Sequence, residues 1–312
     1  MNRILGFPRI WWPQIRNTKG IITPLTVLNV TRFLLTIISV KLGFAGAKPI
    51  HISTNQRILK LNRKSNLGSR NDKIYIENDD VIYASIRLHG AWGDLESRYL
   101  GGVEGERLTL LDLGANIGLI IRQILEINPK ISKVIAVEPR QMTISNLKKN
   151  LYDFSKNKHT EILFCEFALG EKNGKDLIYT ETGNIGNSSL LQSLVPSSSV
   201  EEISSVTSQK FYESYLRNDE QYILKSDLQG MDSSILNSFP EEFWYRVKGA
   251  VIEVWPNNLV KPKEVVELIQ KIGIHFDFSF DPQFFRTVDK RYLFDYWTNE
   301  SCKSQNLYLR RK

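Results

Sequence analysis

The run Asp112-x-Gly114-x-Asn116-x-Gly118 carries the clearest chemical signal in the 312-residue chain. Gly114 and Gly118 can adopt positive φ and let a ligand approach the backbone closely. Asn116 is among the few other residues that tolerate left-handed geometry. Glu138, 20 residues beyond Gly118, ends an apolar run, where a carboxylate can accept hydrogen bonds from both hydroxyls of a ribose. A dinucleotide fingerprint needs glycines in the order G-x-G-x-x-G. Counting from Gly114, its second glycine is Asn116 here and its third is Leu119. No G-x-x-x-x-G-K-[ST] run occurs either, which excludes a P-loop.

The elements around the turn are legible from their apolar runs. Leu108–Leu113 reads as a buried strand and Leu119–Ile127 as a helix that stops before Asn128-Pro129. Lys133–Glu138 reads as a second buried strand and Gln141–Leu151 as a polar helix. Together they form a strand–turn–helix–strand unit of the nucleotide-binding kind. Residues Gly186–Ser208 hold nine serines, and that composition predicts a mobile loop or lid rather than a strand.

Composition narrows the classes. Hydrophobic residues at 42% and charged ones at 24% exclude a collagen-like or fully disordered chain. Only Cys165 and Cys302 are present, and His51, His89, His159 and His275 are scattered without metal-ligand spacing. Neither a disulfide framework nor a zinc cluster is expected, and no metal site is assigned. The net charge of +7 conceals an asymmetry, because residues 1–75 hold 13 Lys/Arg and one acid, Asp72. The expectation is therefore a basic extension, 1–73, before a main domain, 74–312. A stretch from Leu25 to Phe44 has a narrow polar stripe on an apolar helix. It reads either as packing on the body or as lying in a membrane interface, helped by Trp11, Trp12 and the basic excess. Arg57–Lys73 reads as a solvated linker. A peripheral contact of 1–73 with an anionic membrane on the cytoplasmic side is an expectation. Nucleic acid is not, since finger, helix-turn-helix and interleaved-aromatic patterns are missing.

Four segments occur in order: Asp112-Leu-Gly-Ala-Asn-Ile-Gly118, Ala136-Val-Glu-Pro139, Phe167-Ala-Leu-Gly170 and Leu224-Lys-Ser-Asp-Leu-Gln-Gly230. With the Ser189-Leu190 pair they resemble the FkbM family of S-adenosylmethionine (SAM) dependent methyltransferases, from about Tyr75 to Arg311. The resemblance implies an α/β fold, a doubly wound, seven-stranded, mostly parallel Rossmann-like sheet of the class I methyltransferase type, with Asn306–Arg310 in the antiparallel strand. It also implies SAM as cofactor and O-methyl transfer to a hydroxyl of a saccharide, glycolipid or glycosylated metabolite. Cofactor contacts carry over to Asp112, Gly114, Ala115, Asn116, Gly118 and Glu138, with Phe167 and Ala168 beside the adenine. The chain departs from the family pattern at Gln229, which stands where KxDxEG has Glu. Alternatives are a SAM-binding protein without transferase activity, or an N-methyltransferase.

A hydroxyl acceptor needs a proton acceptor within about 3 Å, and doubly wound folds place their ligands at the carboxyl ends of the strands. Asp227, ending the strand Tyr222–Ser226, is the first candidate. Glu253, in the strand Ala250–Val254, is the second, with Lys225 as the cation that neutralises these acids. His89 and His275 are further candidates because histidine titrates near neutrality.

Overall fold

The structure, a computed structural model, describes residues 46–53, 56–62, 65, 67–77, 80–158, 160–181, 184–195, 198–255, 262–293 and 304–312, together with Ile38 and Leu42. The chain divides into two compact units, Met1–Trp92 and Gly93–Lys312. Apart from Ile38 and Leu42, the stretch Leu25–Phe44 lies outside the described residues, as do Trp11 and Trp12.

The first unit contains an antiparallel sheet of β1 (Ala47–Ile52), β2 (Arg57–Leu61) and β3 (Lys73–Ile76), followed by helix α1 (Asp80–His89). Its buried side chains include Leu59, Leu61, Ile74, Ile76, Ile82 and Ile86. The expectation of a linker over Arg57–Lys73 is corrected here. Its two ends are paired strands, because Leu59 and Leu61 alternate inward against Ile74 and Ile76. The unit runs past residue 73 to Trp92, since β3 and α1 complete its sheet and core.

The second unit begins with α2 (Asp94–Gly101) and then builds the sheet. In chain order it comprises β4 (Leu108–Leu113), α3 (Leu119–Ile127), β5 (Ile131–Val137), α4 (Gln141–Lys158) and β6 (Glu161–Cys165). The strands β7 (Ala168–Gly170), β8 (Gly174–Glu181), β9 (Asn184–Ser189) and β10 (Ser198–Thr207) follow, then α5 (Ser208–Tyr215). Next come β11 (Gln221–Ser226), α6 (Asp232–Asn237), α7 (Glu241–Arg246), β12 (Val247–Val254) and α8 (Pro262–Ile272). Strands β13 (Phe276–Ser279) and β14 (Gln305–Arg311) come last.

The main sheet is seven-stranded and ordered β13-β14-β12-β11-β4-β5-β6. Strand β14 runs antiparallel to both neighbours, and the other pairings are parallel. This is the doubly wound α/β sheet expected from the sequence. Both faces are buried, so the strands carry nearly unbroken apolar runs. One face packs Leu111, Leu113, Leu224 and Ile252 with Phe239, Phe243 and Trp244, and the other packs Leu110, Val134, Ile223 and Val251 with α3 and α4. The serine-rich segment is the second correction. Within it β9 and β10 are strands of a separate four-stranded sheet ordered β7-β10-β8-β9.

Candidate functional site

The parallel strands β4, β5, β11 and β12 all end at one edge of the sheet, and the candidate residues gather there. Gly114, Asn116 and Gly118 all have positive φ, at 82°, 50° and 79°. The amides of Gly114 and Ala115 both donate to the Val137 carbonyl, at 3.1 and 2.9 Å, which folds the turn onto the end of β5. Asn116 Oδ1 accepts from the Ile117 amide at 2.7 Å, so its side chain stabilises its own left-handed backbone. The glycines serve packing as directly as ligand approach. A Cβ on Gly114 would collide with the Asp227 carbonyl oxygen, and one on Gly118 with Leu147 of α4.

Glu138 is 7% exposed, and backbone donors hold both its oxygens. Oε2 accepts from the Asn116 amide and Oε1 from the Arg140 amide, each at 3.1 Å. The Glu138 amide in turn donates to the Cys165 carbonyl at 3.0 Å, tying the end of β5 to β6. Beyond Cys165, the Phe167 ring packs on Phe211 and Tyr215, and Ala168 is buried with Ile178 and Ile203. Ala115 is likewise a core side chain.

Asp112 is buried in β4, and Lys225 Nζ stands 3.3 Å from its Oδ1. Burial raises the Asp112 pKa, and the Lys225 charge opposes that rise. The same ammonium donates to the Gly114 carbonyl at 2.9 Å and lies 3.6 Å from Asp227 Oδ2. Burial works against its charge, but Asp112 and Asp227 together push the Lys225 pKa up, so the ammonium stays charged. Asp112 thus acts from beneath the turn by fixing Lys225.

The Asp227 side chain is 39% exposed. Gln229 Nε2 donates to Asp227 Oδ1 at 2.6 Å and to Glu253 Oε2 at 3.2 Å. Trp255 Nε1 donates to the same Glu253 oxygen at 2.8 Å. Burial, followed by the charges of Asp227 and Asp232, pushes the Glu253 carboxyl up to about 9. That shift favours the protonated, hydrogen-bonding form of Glu253 near neutrality. Asp232, pushed up to about 7 by burial, accepts from Ser226 Oγ and from the Leu228 amide and fixes the loop after β11.

The two histidines stand elsewhere. His89 is exposed on α1 of the first unit. His275 precedes β13 at the amino end of the parallel strands, its ring edge-on to Tyr245, with burial lowering its pKa. Three partners are not visible in the sequence: Gln229 as a bridge, Trp255 as a donor, and Ser189, whose hydroxyl donates to the Gln229 carbonyl at 2.7 Å. Gln229 has φ 49°, and nothing in residue type or spacing signals that conformation. Among the described residues no group of three or more His, Cys, Asp or Glu side chains could hold a metal ion.

No family model matches the chain, and no curated protein does. Solved structures do. Methyltransferase FkbM from Methylobacillus flagellatus KT is 15% identical, with TM-score 0.39, over 74% of this chain and 54% of that one. A SAM-dependent O-methyltransferase from Thermotoga maritima is 12% identical, with TM-score 0.35, over 84% of this chain and 85% of that one. Precorrin-6y C5,15-methyltransferase from Geobacter metallireducens GS-15 is 11% identical, with TM-score 0.35, over 69% and 85%. Likeness this remote assigns no activity, and the functional reading rests on the site itself.

Proposed function

We propose that the chain is a SAM-dependent methyltransferase acting on a hydroxyl of a saccharide, glycolipid or glycosylated metabolite. The observation that carries this reading is one sheet edge holding two things. The Glu138 carboxylate is fixed by the Asn116 and Arg140 amides, and the partly exposed Asp227 carboxylate lies at the end of β11. A ligand with a ribose and a cationic amino-acid tail fits that pair. Glu138 would accept from the ribose hydroxyls, and the acidic character around Asp227 favours positive charge. SAM supplies an electrophilic methyl group when bound.

The remaining work falls to the chain's own side chains. Asp227 accepts the proton of the acceptor hydroxyl. The Gln229 amide holds one Asp227 oxygen and ties it to Glu253. Lys225 balances Asp112 and Asp227 from below.

The test is transfer of labelled methyl from SAM to a panel of saccharide acceptors by the parent and by Asp227→Asn. Loss of a general base lowers turnover by about 10²–10⁴-fold, measured at saturating SAM. Unchanged turnover removes Asp227 from this role. No transfer to any acceptor, with SAM still bound, would leave a SAM-binding protein without transferase activity.

A further inference from the structure

We infer that the second unit carries a separate binding groove for an organic phosphate, at the end of the sheet opposite the Asp227 cluster. The groove has a volume of about 730 Å³, within the range of small-molecule sites. It lies between the C-terminal end of α2, the start of β12 and the end of β14. Lys248 and Arg310 mark its position. Arg310 pairs in register with Gly249, and Glu253 lies four residues further along β12, roughly 13 Å at the rise of a strand.

Charge and shape specify the ligand. The lining carries Arg98, Lys248, Arg310 and Arg311 against a single acid, Glu104. Two of these cations are already engaged: Arg98 with Asp94 at 2.9 Å, and Arg311 with the Trp244 carbonyl at 2.7 Å. The other two make no such bond among the described residues. Among the described residues Lys248 has no carboxylate or carbonyl partner. Arg310 lies over the Phe285 ring at 4.2 Å, and Asp277, its cross-strand neighbour, forms no ion pair with it.

A guanidinium stacked on a ring can still offer its N–H edge as a fork, the geometry that suits a phosphate. With Lys248 lining the same groove, the positive charge suits a dianion, which a phosphate monoester is. Leu95, Tyr99 and Val103 give the groove an apolar side, and Tyr99 stacks on Phe285 with centroids 6.1 Å apart. The ligand therefore has an apolar or aromatic body behind its phosphate.

The experiment titrates phenyl phosphate, and separately benzyl alcohol, into the full chain at low ionic strength, followed by calorimetry. Phenyl phosphate is expected to saturate one site, with no saturation by benzyl alcohol. The double variant Lys248→Ala/Arg310→Gln binds about tenfold or more weakly, since hydrogen bonds to charged groups are lost. Lys248→Met alone carries the test if the double variant does not fold. Absence of saturable phenyl phosphate binding overturns the inference, as does a folded variant that binds like the parent. A third arm uses phosphatidylcholine vesicles containing phosphatidic acid. Binding to these without any to phenyl phosphate also overturns it, in favour of a lipid surface.

Discussion

Replacing Glu253 with Gln reports on the least ordinary electrostatic feature of the sheet edge. The carboxyl titrates near its usual 4.5 when the chain is unfolded and at about 9 when folded, because burial and the charges of Asp227 and Asp232 penalise its ionised form. Between those values the folded state keeps a proton that the unfolded state releases, so stability falls as pH rises. The contribution of protonated Glu253 is complete below about pH 4.5 and gone above about pH 9. One proton gives a slope of about 1.4 kcal/mol per pH unit inside that window. The substituted glutamine has no proton to lose, and its carbonyl can still accept from Trp255 and Gln229. The stability of Glu253→Gln relative to the parent should therefore climb by about 3 kcal/mol from pH 6 to pH 8. Asp232 also titrates in this range, at about 7. Its share cancels in the comparison, because the side chain at position 253 is neutral in both folded proteins there. Guanidinium denaturation followed by tryptophan fluorescence at pH 6, 7 and 8 measures the difference. A gap that stays constant across the three would refute the reasoning.

Other perturbations test the supports of the site. Gly114→Ala forces a Cβ into the Asp227 carbonyl at a φ of 82°, and should cost about 2 kcal/mol or more, read as a lowered melting midpoint. Ser189→Ala removes the hydroxyl that holds the Gln229 carbonyl and should cost about 1 kcal/mol in chemical denaturation. Gln229→Glu puts a third carboxyl between Asp227 and Glu253. Its melting midpoint should drop further below the parent at pH 8 than at pH 6, and equal drops at both would contradict the role of like charges.

The turn, its two flanking strands and Glu138 are readable because each answers to a local rule. Positive φ asks for Gly or Asn, and a strand covered on both faces needs a nearly unbroken apolar run, as in Leu108–Leu113 and Val134–Val137. Asp227 follows from its place after the next such strand. The serine-rich segment misleads because β10 owes its order to pairing with β8, a relation its own composition does not carry. Its serines are small where strands crowd, and Ser205 lies directly against Gly170. Arg57–Lys73 misleads similarly, since charged residues between them hide the inward Leu59 and Leu61. Gln229 reaches Glu253, 24 positions away on the neighbouring strand, a relation that exists only once the sheet is assembled.

The central claim is that Glu138 and the turn above it bind SAM. Calorimetric titration of SAM, and separately of NADH, into the parent and Glu138→Ala tests it most directly. The account predicts saturable SAM binding in the parent, loss of about tenfold or more in the variant, and no NADH binding in either. Absence of SAM binding to the folded parent, or equal SAM affinity in folded Glu138→Ala, would contradict it.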